Sequence, residues 1–136
     1  MIEIGLSAMM LLTASDPSVI PVLTCPEGFD TATRAEMYVG RASGTTQTGE
    51  PAWDVFVRDE VRARFGEGFT ILDSDGGWLD QDGRELRERA KVIIRVYPGG
   101  MTAEDLERFD ELASVYRERF RQESVMTLLQ PVCVRF

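Results

Sequence analysis

Apolar positions along this chain change period several times, and each change marks an element. Trp53, Phe56, Val57, Val61 and Phe65 recur at i, i+3, i+4, i+8 and i+12, one stripe of an amphipathic helix. Thr48 is placed to cap it, Pro51 fits its first turn, and Gly66 and Gly68 end it. A second stripe, Leu106, Phe109, Leu112, Ala113, Tyr116 and Phe120, follows Thr102-Ala-Glu-Asp105, a capping box with Asp in place of Glu. Around these stripes the period falls to two, or to short runs of β-formers. Strands are predicted over 35–40, 69–73, 84–97 and 124–136, the last interrupted at Pro131, where a bulge or a sheet edge is required. Residues 43–49 read as a loop, Asp82-Gly83 as a hairpin turn, Pro98-Gly99-Gly100 as a stop, and 16–34 as an extended leader.

The order β-α-β-β-α-β predicts an α+β sandwich of the ferredoxin-like kind, with a four-stranded antiparallel sheet and two helices on one face. In the usual strand order, 4-1-3-2, the first and last strands are antiparallel neighbours. Cys25 precedes the first and Cys133 lies in the last, so that topology brings the two cysteines together. Two reduced cysteines packed as small hydrophobes are the alternative. A bridge that staples both chain ends is favoured, and with it an oxidising compartment.

On the third strand, Val92, Ile94 and Val96 are assigned to the helices, which leaves Lys91, Ile93, Arg95 and Tyr97 on the open face. Together with Tyr38, Asp73, Trp78 and Glu88 they make the candidate ligand or interface set Tyr38, Asp73, Trp78, Glu88, Lys91, Arg95 and Tyr97. Glu88 and Lys91, three apart, face opposite sides unless a bulge intervenes. Both phases are apolar at Ile71-Leu72 and at Val125, Met126, Leu128 and Leu129, so the second face should be covered. The expected cover is a second copy in a homodimer; the other is the leader, through Val19, Ile20, Val22 and Leu23.

At 136 residues the length suits one domain, placed at 25–136 behind a signal-like apolar segment and leader at 1–24. The run Ile4 to Ser15 is too short to span a bilayer. It fits the apolar core of a secretory signal, although Glu3 and no basic residue precedes it, or it is an ordinary apolar N-terminal segment. A net charge of −8 disfavours nucleic acid and anionic lipid as partners. With no histidine in the chain, Ser-His-Asp and Cys-His catalysis and histidine metal sites are excluded. Asp73, Asp75, Asp80 and Asp82 miss the EF-hand pattern, since Trp78 stands where its glycine belongs; turn chemistry accounts for them, and no metal or cofactor is assigned.

Several strings occur together in order: Ala35-Glu-Met-Tyr-Val-Gly40, Trp53 with Phe56, Arg64-Phe65, Gly68-Phe-Thr-Ile-Leu-Asp-Ser74, Gly77-Trp78, Glu88 with Lys91-Val92, and Tyr116 through Val125. With Cys25-Pro26-x-Gly28 and Val132-Cys-Val-x-Phe136 they make residues 25–136 resemble a bacterial family catalogued as domain of unknown function 3574. The resemblance implies export and carries no catalytic residue. The function expected is therefore a periplasmic or secreted, non-catalytic binding module that meets a small ligand or an envelope protein through the open sheet face. The alternative is a cofactor-free enzyme of the dimeric α/β-barrel kind, acting on a small molecule with an acid or base drawn from Asp73, Glu88, Lys91 or Tyr38.

Overall fold

A computed structural model describes residues 23–43 and 46–136; the signal-like segment and most of the leader lie outside the described residues. The long strands are β1 (Asp30–Gly40), β4 (Thr70–Leu79), β5 (Glu85–Pro98) and β6 (Met126–Val134), and the short β2 (Ala42–Ser43) and β3 (Thr46–Gln47) pair with each other. The long strands form one antiparallel sheet in the order β4-β5-β1-β6, so the first and last are neighbours. Helix α1 (Glu50–Phe56) runs through a π-helical stretch, Val57–Val61, into α2 (Arg62–Arg64), and α3 spans Ala103–Arg119. The architecture is α+β.

Most of both helical stripes is buried as their periodicity requires; Leu106, at the start of the second, is exposed. Trp53, Phe56, Val61 and Phe65 from the first helix and Phe109, Leu112 and Tyr116 from α3 meet Ala35, Met37, Val39, Ile93 and Tyr97 in one core cluster. Aromatic edges organise it: the Phe56 and Tyr116 rings lie 5.1 Å apart at 76°, and Trp53 meets Tyr116 at 6.2 Å and 73°. Tyr116 Oη donates to the Gly40 carbonyl at 2.6 Å, which satisfies its one polar group inside the core. Thr102 accepts from the Asp105 backbone N–H, and Asp105 accepts in return from the Thr102 N–H at 2.9 Å, so the Asp variant of the capping box forms.

Several expectations need correction. Thr48 does not cap the first helix; Gly49 holds that position with no side-chain bond, and the Thr48 carbonyl instead accepts from Arg41. The second strand, expected over 69–73, runs on through Gly76 and Gly77 to Leu79. β1 begins at Asp30, inside the stretch expected to be a leader.

The phase of β5 is also the reverse of that expected. Ile93 pairs with Met37 and Tyr97 with Thr33, so Lys91, Ile93, Arg95 and Tyr97 face the helices, while Val92, Ile94 and Val96 face the open side. Ile93 is fully buried in the core. Lys91 and Arg95 tolerate the helix side by running their stems over rings: the Lys91 ammonium lies 5.6 Å from the Trp53 centroid, and the Arg95 guanidinium 5.1 Å from that of Tyr97.

Cys25 and Cys133 form a disulfide with a Cα–Cα separation of 5.5 Å, closing a span of 108 residues beside the edge strand β6. Pro131 sits on that edge strand, where its missing N–H costs no ladder bond inside the sheet. Losing the bridge frees the segment before β1 from the end of β6. Cys133→Ala is expected to lower unfolding free energy by about 2–5 kcal/mol, the usual cost of removing a native bridge. Urea unfolding of wild type and variant measures this, and equal midpoints would show that the bridge does not hold the fold.

Candidate functional site on the open sheet face

The register builds the open face in rows. Thr70, Ile94, Glu36 and Leu128 lie side by side across the four strands; the next row is Leu72, Val92, Tyr38 and Met126. Arg34, between Val96 and Gln130, completes a polar column of Arg34, Glu36 and Tyr38 along β1. Apolar columns flank it: Val96, Ile94 and Val92 on β5 with Leu72 beyond, and Leu128 and Met126 on β6.

Glu36 is the centre of this arrangement. It is only 6% exposed although no helix covers it, because Ile94 and Leu128 stand on either side. Its carboxylate takes Arg34 Nε at 2.5 Å and the Tyr38 hydroxyl at 2.6 Å. A carboxylate among apolar neighbours needs such partners, since desolvating an unpaired charge is costly. The hydrogen bond to Glu36 is the main reason that the Tyr38 phenol is held above its ordinary value. The margin stays open: Leu72 is 49%, Trp78 56% and Met126 57% exposed. Charged centre and apolar margin together fit a ligand or partner that brings apolar surface and one hydrogen-bonding or cationic group.

The sequence-predicted residues divide between the two sides of the sheet. Tyr38, Trp78 and Glu88 share the open-face phase. Glu88 turns over Gly40 and accepts from the Ala42 N–H at 3.2 Å; a Cβ on Gly40 would come within 2.2 Å of its Oε1, so a side chain there would push the carboxylate aside. Asp73, Lys91, Arg95 and Tyr97 lie on the helix side. Lys91 Nζ bridges Asp73 at 2.6 Å and Glu50 at 3.6 Å, and Arg41 also holds Glu50, at 2.5 Å. Lys91 keeps the Asp73 carboxyl below the usual range, and Arg41 chiefly does so for Glu50. These contacts fasten α1 and β4 to the sheet. Asp80 accepts from the backbone N–H of Asp82 and of Arg84, both at 2.9 Å, and so shapes the hairpin turn. Among the described residues no group of three or more His, Cys, Asp or Glu lies close enough to hold a metal ion.

Two residues of the polar column, Arg34 and Glu36, were not among the candidates. The signal was present in Arg34-Ala-Glu-Met-Tyr38, where polar side chains alternate with buried apolar ones. The positions two before and four before Tyr38 share its face.

Fold and site together define an open-faced α+β sandwich that presents a carboxylate–phenol–guanidinium column on bare sheet. Residues 34–136 match the model of a family described as "Protein of unknown function (DUF3574)", and the chain belongs to that family. No curated protein matches it. Among solved structures it is similar to a phage SAM lyase in complex with S-methyl-5'-thioadenosine, at 23% identity and a TM-score of 0.55, covering 88% of this chain and 97% of that one. The apo state of a phage SAM lyase matches at 23% identity and a TM-score of 0.53, over 85% of this chain and 97% of that one. At that identity the likeness is one of fold.

Phenol chemistry gives a direct check on both sides of the sheet. Burial pushes Tyr116 up to about 12 and also raises Tyr97, while Glu36 raises Tyr38, so none of the three tyrosines should ionise at the ordinary value of 10.0. A raised phenol pKa favours the folded state fully below the unfolded value of 10.0, and that contribution fades as pH rises through the folded value. Tyrosinate absorbance should therefore be delayed in folded protein, and stability should fall between pH 10.0 and about 12. Glu36→Gln should bring Tyr38 back down. Three phenols titrating together at the free value would contradict the geometry described.

Proposed function

We propose that this protein is an exported, non-catalytic binding module whose open sheet face takes a second copy of the same chain, enclosing the Arg34–Glu36–Tyr38 column. The observation that carries this reading is the Glu36 carboxylate, already satisfied by its own strand, standing between an apolar column on β5 and the exposed Leu128 and Met126 on β6. A face that keeps its central charge paired can be covered without stranding it. An isologous dimer would apply the same apolar columns twice about the twofold axis. The middle of the space between helices and sheet, where an enzyme of the dimeric α/β-barrel kind would hold its pocket, is filled by the core cluster, which supports a module as well. The disulfide supports an oxidising, extracytoplasmic location, and no described helix is long and apolar enough to cross a membrane.

Sedimentation velocity at micromolar concentration tests the reading, on the full chain and on a version beginning at Thr24. A dimer is expected in both. Leu128→Asp and Met126→Asp should each raise the dimer dissociation constant at least tenfold, about 1.4 kcal/mol or more. A monomer in both forms, soluble at high concentration, would overturn the proposal. A monomer that loses solubility on truncation would point to the leader as cover.

A second reading, a cofactor-free enzyme acting on a small molecule, is favoured by the fold shared with a phage SAM lyase that holds S-methyl-5'-thioadenosine. On this chain the acid–base groups would be Glu36 and Tyr38, because Asp73 and Lys91 are committed to an ion pair on the other side of the sheet. Incubation with S-adenosylmethionine, followed by chromatography for S-methyl-5'-thioadenosine, tests it. Product that disappears with Glu36→Gln would establish the enzyme in place of the module.

A further inference from the structure

On the helix side, β5, the turn after α2 and the first turns of α3 enclose a cavity of about 350 Å³. This is within the usual range for small-ligand sites. Three guanidinium groups, from Arg64, Arg95 and Arg108, line it with two carboxylates, Glu67 and Asp105. The Arg95 guanidinium lies over the buried rings of Phe65 and Tyr97, at 5.9 and 5.1 Å from their centroids.

Four buried side-chain polar atoms have no hydrogen-bond partner among the described residues. One, Arg34 Nε, is ion-paired with Glu36 on the other face; the other three, Arg95 Nε, Tyr97 Oη and Arg64 Nε (3.8 Å from Glu111, beyond hydrogen-bond reach), belong to residues that line this one cavity. Buried donors rarely go without acceptors, and each one that does is costly. Tyr97 is only 6% exposed, and burial holds its phenol protonated, so its hydroxyl remains a donor.

The carboxylates present do not answer this demand. Asp105 is committed to the Thr102 N–H and hydroxyl, both at 2.9 Å. Glu67 meets only the Arg95 Nη2, at 3.0 Å, from a side chain that is 91% exposed, a tether that another carboxylate can replace. Arg64 and Arg108 have carboxylates of their own outside the lining, Glu60 at 2.7 Å and Glu104 at 2.6 Å, so the contact open to exchange is that of Arg95 with Glu67.

We propose that this cavity binds a small organic monocarboxylate, which accepts from the donors the chain leaves unpaired and displaces the Glu67 carboxylate from Arg95. The site is on the opposite side of the sheet from the column on β1, so it stands or falls apart from the reading given above.

The test is a titration of ¹⁵N-labelled full chain with benzoate and, separately, inorganic phosphate, with chloride balancing ionic strength. The arginine Nε–H signals are followed. Benzoate should shift Arg95 and Arg64 saturably, while Arg58, on an exposed pair with Asp59, stays still. Tyr97→Phe removes one donor and keeps the ring, and should weaken benzoate binding about fivefold, the worth of one hydrogen bond. Arg95→Gln should abolish it. Shifts that rise linearly and alike at every arginine would overturn the site, and saturation by phosphate alone would overturn the carboxylate. Unchanged affinity in Tyr97→Phe would overturn the account of the unpaired donors.

Discussion

The strict alternation of β1 is the constraint on which the rest of this structure depends. Lying between β5 and β6, the strand has a neighbour on each edge, and it has a separate task on each face. Ala35, Met37 and Val39 are fully buried under the helices, whereas Arg34, Glu36 and Tyr38 make the polar column on the other side. A slip of one residue would drive Glu36 and Arg34 into the aromatic core and expose Met37. Every row of both faces inherits its register from this strand, including the one that sets Ile94 and Leu128 beside the carboxylate.

The elements were legible in the sequence because their signals are local. The helical stripes, the capping box, the Asp82-Gly83 turn and the adjacency of the first and last strands follow from spacing, turn chemistry and short-range topology. The face of β5 was not legible, since Val92-Ile-Ile-Arg-Val96 is apolar in both phases. Charge was the remaining guide, and it pointed the wrong way: Lys91 and Arg95 lie among rings and carboxylates contributed by distant segments, Trp53 and Glu50 for one, Phe65 and Glu67 for the other. No window of sequence contains those partners. The candidate site was legible in part, through Tyr38 and Trp78. Its centre, Glu36, looks like an ordinary solvent-facing strand carboxylate until its row neighbours are known.

Lys91 and Arg95 also explain how two cations sit on the covered side without disturbing the core. They flank Ile93 on β5, and each lies toward the end of a helix rather than beneath its middle. Lys91 is held near the start of α1 by Glu50 and Asp73, and Arg95 beside the turn that follows α2 by the Gly68 carbonyl and Glu67. The apolar cluster therefore closes between them, and β5 becomes polar on either side of Ile93 for different reasons: one is a saturated ion-pair network, the other keeps unspent donors.

Pro131 has a consequence for how the chain survives at high local concentration. The run Val125-Met-Thr-Leu-Leu129 is uncharged and rich in β-formers, and most of it lies on an edge strand, the composition that seeds intermolecular strand addition. Two residues beyond Leu129 the backbone lacks an N–H, and two further on it is tied covalently to Cys25. A foreign strand that began to zip onto β6 would lose its ladder at the proline and then meet the tethered N-terminal segment. The edge is thus guarded against self-templating growth at the backbone, leaving its side chains free to be apolar.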